Sequence, residues 1–167
     1  DAPGFIVDLR ANSGGDEGKA QSFAAAFADA EHVYAKARFR NGPAPGDFGP
    51  AIERRVAPRK GRTFTKPVVV LTGPVCVSSG ECLVMAMKTF PHVTLVGLPT
   101  AGMNGNPLPV ALPNGVEVGF SRWVNFLPDG TPTEGRGVIP DIEVKQEGTD
   151  DAAFLKAIEV LKGKTKK

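Results

Sequence analysis

Two adjacent serines, Ser78 and Ser79, stand where an apolar run of the sequence passes into a segment of helical character. With Glu81 three positions after Ser78, they match the capping-box pattern, in which a hydroxyl and a carboxylate bond to free N–H groups at the start of a helix. The same position also suits a nucleophile, because the N-terminus of a helix stabilises a developing negative charge. Residue 79 would then donate its backbone N–H to an oxyanion. These residues alone leave a helix cap and a catalytic serine both open.

A glycine-rich turn, Asn12-Ser13-Gly14-Gly15, follows another apolar run that reads FIVDLR. Ligands of open α/β sheets bind at the carboxyl ends of parallel strands, which is where this turn is predicted to lie. It lacks the G-K-[ST] ending of a phosphate-binding loop. The turn could supply the second free N–H that an oxyanion hole needs. Alone, such a Gly-Gly turn is usually only a turn, and it is of interest here because a serine at a predicted helix start accompanies it.

The segments that must position these residues alternate between strand and helix patterns. Short β-branched runs predict strands, and apolar residues at helical spacing predict helices. The predicted strands cover 4–10, 32–39, 66–73 and 92–97, and the predicted helices cover 17–28 and 79–90. This order implies right-handed βαβ crossovers and therefore an α/β fold. Residues 1–167 are predicted to form one domain.

The remaining segments follow other patterns. Residues 41–65 are rich in Gly, Pro and Arg and predict an irregular loop. Asn114-Gly115 between two alternating runs predicts a β-hairpin, and 138–144 predicts a short terminal strand. A last helix is expected over 150–163, with an inward stripe formed by Phe154, Leu155, Ile158 and Leu161.

Charge and composition exclude several classes of function. The chain has 20 basic and 18 acidic residues and a net charge of +2, which does not favour a dedicated nucleic-acid surface. One basic cluster is predicted to be a solvated loop; its members are Arg54, Arg55, Arg59, Lys60, Arg62 and Lys66. No apolar run is long enough to cross a membrane. Cys76 and Cys82 lack the spacing of metal ligands and are expected to be buried free thiols.

Five ordered motifs carry a resemblance to a known family. They read GFIVDLRANSGG, PVVVLTGPVCVSSGE, VTLVGLPTAG, LPNG and EGRGVIPDIEV, and they span about residues 4–145. In this order the chain resembles the family S41 serine peptidases, which include C-terminal processing (tail-specific) and tricorn-like proteases. The resemblance implies a crotonase/ClpP-like α/β core of repeated ββα units. It also implies a serine endopeptidase that acts on peptides or protein C-terminal regions without a metal or organic cofactor.

The resemblance assigns roles to individual residues. Ser78 corresponds to the nucleophile, and the N–H groups of Ser79 and Gly15 correspond to the oxyanion hole, with Gly14 as the alternative donor. Glu134, before the G-V-I-P-D stretch, matches a glutamate that helps to orient the site in the tricorn-like branch.

The same resemblance leaves the general base open. Met103 occupies the position of the lysine base of the processing proteases, and a thioether cannot take a proton. The resemblance therefore points to a histidine upstream of this chain. His32 and His92 do not match that base, and Lys88 is expected to be a solvent-directed lysine at a helix end.

Two other functions stay open from the sequence. Retinoid-binding repeats share this fold and carry apolar ligands, and a crotonase-like acyl-CoA enzyme would use a similar oxyanion hole without a serine. The peptidase resemblance further implies a peptide or protein substrate, an upstream domain of the same protein, and a periplasmic or secreted setting. If the base lies upstream, the chain alone is expected to be a poor peptidase.

Overall fold

Nine strands and three helices make up the part of the chain that the computed structural model describes, residues 2–145 and 148–165. The strands are β1 (Phe5–Asp8), β2 (His32–Arg40), β3 (Phe48–Val56), β4 (Val68–Thr72), β5 (Val93–Gly97), β6 (Leu108–Ala111), β7 (Glu117–Phe120), β8 (Trp123–Phe126) and β9 (Ile142–Glu143). The helices are α1 (Glu17–Ala24), α2 (Ser79–Lys88) and α3 (Ala152–Thr165). The predicted α/β class is confirmed, with parallel and antiparallel sheets in one fold. No helix in the described ranges is long and apolar enough to cross a membrane.

A parallel four-stranded sheet in the order β1-β4-β5-β9 lies at the centre. Successive residues of β4 point to opposite faces. Val68 and Val70 join the core under α1 and α2, whereas Val69 and Leu71 pack on the α3 side with Ala157. Because both faces of the sheet are covered, a continuous apolar run is what such a strand requires. The predicted strands over 66–73 and 92–97 are confirmed.

An antiparallel sheet in the order β3-β2-β8 packs through β2 on helix α2, and here one sequence prediction is wrong. Residues 41–65 were expected to be irregular, yet 48–56 form a nine-residue strand paired along β2. Most of β3 is exposed on both faces, so it shows no apolar alternation. Backbone pairing with β2 forms this strand, and that pairing leaves no local signature in the sequence.

The predicted hairpin is confirmed as β6 and β7, paired from Leu108 opposite Phe120 to Ala111 opposite Glu117. Gly115 has a φ of 83°, a conformation that favours glycine. The Asn114 side chain accepts a hydrogen bond from the Val116 N–H at 3.1 Å. The Asn-Gly pair thus closes the turn as its chemistry predicts.

Helix α3 is present, but its inward stripe matches the predicted one only in part: Leu161 packs against the buried cluster on this face of the sheet. Ala153 and Ala157 are buried against the sheet, whereas Phe154 and Leu155 are 42% and 54% exposed. Asp151 explains part of this rotation. Its carboxylate accepts the Phe154 N–H at 3.0 Å and two guanidinium N–H groups of Arg10 at 2.8 Å each. The tie to the end of β1 orients the helix so that small alanines, rather than Phe154, meet the sheet.

Candidate active site

Ser78 is the last residue before α2 and has an unusual backbone conformation. Its φ is 55° and its ψ is −126°, a region that residues with a side chain rarely adopt. The Ser78 N–H donates to the carbonyl oxygen of Met103 at 2.9 Å, and the Ser78 carbonyl accepts from the N–H groups of Glu81 and Cys82 at 2.9 and 3.2 Å. Strain of this kind persists where surrounding contacts hold it, and it is common at active sites.

The capping box, one of the two alternatives that the sequence leaves open for Ser78 and Glu81, does not form. The Ser78 side chain makes no hydrogen bond to the helix N-terminus. Its Cβ and Oγ instead lie next to Gly14, where a Cβ atom would be only 2.7 Å from the Ser78 Cβ. The positive φ therefore directs the hydroxyl-bearing side chain toward the glycine turn and away from the N-terminus of α2.

Glu81 is fully buried and has other partners. Its carboxylate accepts hydrogen bonds from the Thr100 hydroxyl at 2.5 Å and from the N–H groups of Gly102 and Met103 at 2.7 Å each. All three donors lie in one segment about twenty residues further along the chain. The sequence pattern could not indicate this, because the contacts depend on how β5 and the residues after it fold back onto α2.

The glycine turn faces Ser78 from the end of β1. Gly14 and Gly15 have φ values of 92° and 142°. The Gly14 N–H donates to the Asn12 side chain at 2.9 Å. Within the described ranges, the N–H groups of Gly15 and Ser79 have no hydrogen-bond acceptor. Two unpaired donors thus border the strained serine, one of them in the first turn of a helix.

Two cavities adjoin this junction, and Gly15 and Ser79 line both of them. The larger cavity measures about 480 Å³; its walls include Leu9, Ala20, Phe23 and Leu83, with Asn12, Asp16 and Lys19 among the polar residues. The smaller measures about 110 Å³; its walls include Ser78, Glu17, Cys82, Asn104, Asn106 and Trp123. One side of the junction is therefore mainly apolar and roomy, and the other is polar and narrow.

A charged network that the sequence did not predict supports the narrow cavity. Glu17 accepts a hydrogen bond from the Tyr34 hydroxyl at 2.6 Å and pairs with Arg54. The Arg54 guanidinium lies 4.7 Å from the centre of the Trp123 ring. Burial, and then the bond to Glu17, raise the pKa of Tyr34. Arg54 was predicted to be solvated, but its side chain is only 12% exposed because β3 carries it against α1.

Glu134 lies in the turn that precedes β9. The Gly135 N–H donates to the Gly102 carbonyl at 2.9 Å, so this turn packs on the segment bonded to Glu81. Glu134 is an exposed residue. Partial desolvation of its carboxyl group, and then the negative charge of Glu81, nevertheless raise the pKa of this carboxyl group. The structure therefore brings Glu134 to the side of the site that holds Glu81.

Neither histidine of the chain lies at Ser78. His32 pairs with Asp29 at 2.9 Å and packs edge-on against Phe90, and His92 stacks on the same ring. Phe90 follows the C-terminus of α2, and Ser78 precedes its N-terminus. A ten-residue helix separates the two ends by about 15 Å.

In the part of the chain that the structure describes, Lys88 and Met103 also lack the contacts that a general base at Ser78 would need. Lys88 ends α2 and is not simply solvent-directed as expected, because its ammonium pairs with Asp141 at 2.7 Å. Met103 is 66% exposed, and its backbone groups form hydrogen bonds with Ser78 and Glu81. The described residues contain no cluster of three or more His, Cys, Asp or Glu side chains that could hold a metal ion.

Cys76 and Cys82 are free and buried, which confirms the sequence prediction. Burial is the main cause that raises the pKa of each thiol to about 12.

Since the thiolate is the reactive form of cysteine, neither Cys76 nor Cys82 should react with Ellman's reagent at pH 8 in the native chain. Both should react after unfolding in guanidinium. Rapid reaction of the native chain would show that one thiol is accessible.

A known protein family matches most of the chain. Residues 1–144 match the model of peptidase family S41. The carboxy-terminal-processing protease of Bartonella bacilliformis is 27% identical over 144 residues, covering 86% of this chain and 31% of that protein. The processing protease CtpB of Bacillus subtilis is 24% identical over 159 residues, covering 95% and 31%. The chain thus spans about a third of the length of these curated relatives.

Solved structures show the same relationship. A candidate peptidase from Parabacteroides merdae superposes with a TM-score of 0.91 at 29% identity, covering 96% of this chain and 52% of that one. The tricorn protease superposes with a TM-score of 0.70 at 20% identity, covering 99% and 15%. At that identity the second match shows a shared fold.

Proposed function

Because the chain belongs to peptidase family S41, we propose that it is the catalytic core of a serine endopeptidase with Ser78 as the nucleophile. The observation that supports this most directly is the strained Ser78 backbone beside the N–H groups of Gly15 and Ser79, which have no acceptor among the residues that the structure describes. A helix cap would explain neither the strain nor the direction of the side chain.

The proposed reaction is acyl transfer. The Ser78 Oγ attacks the peptide carbonyl carbon while a general base takes its proton, and the carbonyl oxygen becomes an oxyanion held by the N–H groups of Gly15 and Ser79. The C–N bond then breaks, and the amine leaves with the proton from the base. Water attacks the acyl-enzyme, releases the acid and regenerates Ser78.

Gly15 is favoured over Gly14 as the second oxyanion donor. The Gly14 N–H already donates to Asn12, and diverting it would leave that side-chain oxygen without its partner. The Gly15 N–H has no acceptor to lose within the described ranges. Gly14 has a different part in the proposal, since its lack of a side chain leaves room for Ser78.

The base is proposed to be a histidine from sequence upstream of this chain. His32 and His92 lie beyond the far end of α2, and Lys88 is engaged there with Asp141. Glu134 is proposed to orient the base. Its turn packs on the segment bonded to Glu81, which supports a location at the same site.

The proposed substrates are peptides or protein C-terminal regions, in keeping with the names of the curated relatives. The cavity of about 480 Å³ could receive an apolar side chain of the substrate beside the oxyanion donors. An upstream domain, a periplasmic or secreted setting and a crotonase/ClpP-like core of repeated ββα units remain predictions of the family resemblance.

The test is active-site labelling. The chain, with the natural sequence that flanks it, is treated with a fluorophosphonate probe, and the modified peptide is mapped by mass spectrometry. One adduct on Ser78 is the expected result. An adduct on another residue, or none on the folded protein, would contradict the proposed nucleophile.

A further inference from the structure

We propose that Glu81 is the positioning residue of this site: its buried carboxylate holds Ser78 in its strained conformation and joins it to the turn that carries Glu134. This inference rests on the proposed role of Ser78 as the nucleophile. Glu81 does not touch the substrate in this scheme and acts through backbone groups on either side of it.

The first half of the link runs from Glu81 to Ser78 through Met103. One carboxylate oxygen accepts the Met103 N–H at 2.7 Å, and the Met103 carbonyl accepts the Ser78 N–H at 2.9 Å. On its other side, Ser78 is held by the helix itself, because its carbonyl accepts the Glu81 N–H at 2.9 Å. Glu81 therefore closes a ring of contacts around a residue with an unfavourable φ.

The second half runs to the turn with Glu134. The other carboxylate oxygen accepts the Thr100 hydroxyl and the Gly102 N–H. The Thr100 Oγ1 also accepts the Val138 N–H at 2.7 Å, and the Gly102 carbonyl accepts the Gly135 N–H at 2.9 Å. Two residues that follow Glu134 in this turn are thus bonded to groups that Glu81 holds.

The 100–103 segment and the turn that carries Glu134 are in close backbone-to-backbone contact. A Cβ at Gly137 would lie 2.0 Å from the Thr100 carbonyl oxygen, and one at Gly102 would lie 2.6 Å from the Arg136 nitrogen. Because the contact has no flexible side chain to absorb movement, a shift of the 100–103 segment moves the Glu134 turn with it. The Glu81 carboxylate bonds three residues of that segment at once and so fixes its position.

The substitution that tests this link is Glu81→Gln. Glutamine has nearly the same shape, but it has one acceptor oxygen and one NH2 donor group. If its oxygen keeps the bonds to Thr100 and Gly102, its NH2 faces the Met103 N–H, donor against donor. The change should therefore break the contact that fixes Ser78 and leave the volume of the core unaltered.

The expected result is slower labelling of the full-length protein by the fluorophosphonate probe. A misplacement of about 1 Å at a reacting group can cost about a hundredfold in rate, and we expect a loss of this order in the maximal labelling rate of Glu81→Gln. The probe concentration at half-maximal rate should not change, because the substituted side chain does not line either cavity. If Glu81 only stabilised the fold, its substitution would not lower the maximal labelling rate while leaving the half-maximal probe concentration unchanged.

Asp141→Asn is the matched control. Asp141 also accepts a backbone N–H, that of Leu95 at 2.8 Å, but it lies at the far end of α2. The Asp141→Asn substitution should leave the labelling rate within about twofold of that of the natural protein, since distant sites act independently.

Thr100→Val should slow labelling because it removes one hydrogen-bond donor to Glu81. Thr100→Ser keeps the hydroxyl and should label at the natural rate.

Amide hydrogen exchange gives a second readout that does not depend on catalysis. In Glu81→Gln, the Ser78 and Met103 amides should lose protection while the amides of 84–88 in α2 keep theirs. Unchanged exchange at Ser78 and Met103, or unchanged labelling in a folded Glu81→Gln protein, would overturn this inference. If the natural protein is not labelled at all, the proposed function fails, and exchange still decides whether Glu81 holds Ser78.

Discussion

Ser78→Ala is expected to abolish the fluorophosphonate adduct and to lower peptide hydrolysis by the full-length protein at least about a thousandfold. The reason is chemical: without the hydroxyl there is no atom to form the acyl-enzyme. The fold should be retained, because the Ser78 side chain forms no cap and its backbone bonds do not involve the hydroxyl. The measurements are the labelling rate, the hydrolysis rate of a peptide mixture, and the thermal midpoint.

Two serine controls separate this result from a general effect. Ser22→Ala changes an exposed serine on α1 and should label at the natural rate. Ser79→Ala keeps its backbone N–H and should still form the adduct on Ser78. A folded Ser78→Ala protein that hydrolyses peptides normally would exclude the serine mechanism. The acyl-CoA alternative predicts instead that the protein binds CoA and that Ser78→Ala leaves this binding unchanged. Absence of any labelling, with binding of an apolar ligand, would favour the binding-module alternative.

Gly14→Ala should have the second largest effect, an approximately hundredfold loss of labelling with a destabilisation of roughly 1–3 kcal/mol. The added Cβ would lie 2.7 Å from the Ser78 Cβ and 3.2 Å from the carbonyl oxygen of Val77. The Gly14 φ of 92° is also unfavourable for alanine. Since the atom in the way is the Cβ of Ser78 itself, the turn and Ser78 must move apart.

The measurements for Gly14→Ala are the labelling rate and the urea midpoint of unfolding. Gly46→Ala is the matched control, because the structure places nothing within 4 Å of a Cβ at Gly46. That variant should match the natural protein in both quantities. Normal labelling of Gly14→Ala would show that the turn does not lie against Ser78.

Much of the fold could be predicted where local pattern and tertiary environment agree. β4 is buried on both faces, so its continuous apolar run is visible in the sequence. The hairpin was predictable because Asn114 and Gly115 have the turn chemistry that it needs. β3 and β8 were not, because each forms by pairing with β2 and neither carries a clear alternation of buried and exposed residues.

The rotation of α3 also could not be predicted from local sequence pattern, here because side chains far apart in the chain decide it. Several apolar residues are spread around this helix, so its pattern fits more than one inward face. The tie between Arg10 and Asp151, together with close packing of Ala153 and Ala157 on the sheet, selects the face that is buried. A contact between residues 141 positions apart in the chain cannot be derived from helical spacing.

By itself, the sequence determined the order of the motifs, the α/β class and the pairing of a glycine turn with a serine at a helix start. Only the tertiary structure decided what the Ser78 and Glu81 side chains do. A capping box and a buried glutamate that accepts several hydrogen bonds can have the same residue spacing. They differ in the φ of Ser78 and in the donors within reach of the Glu81 carboxylate. Those donors come from residues 100–103, which the parallel sheet brings back to the start of α2.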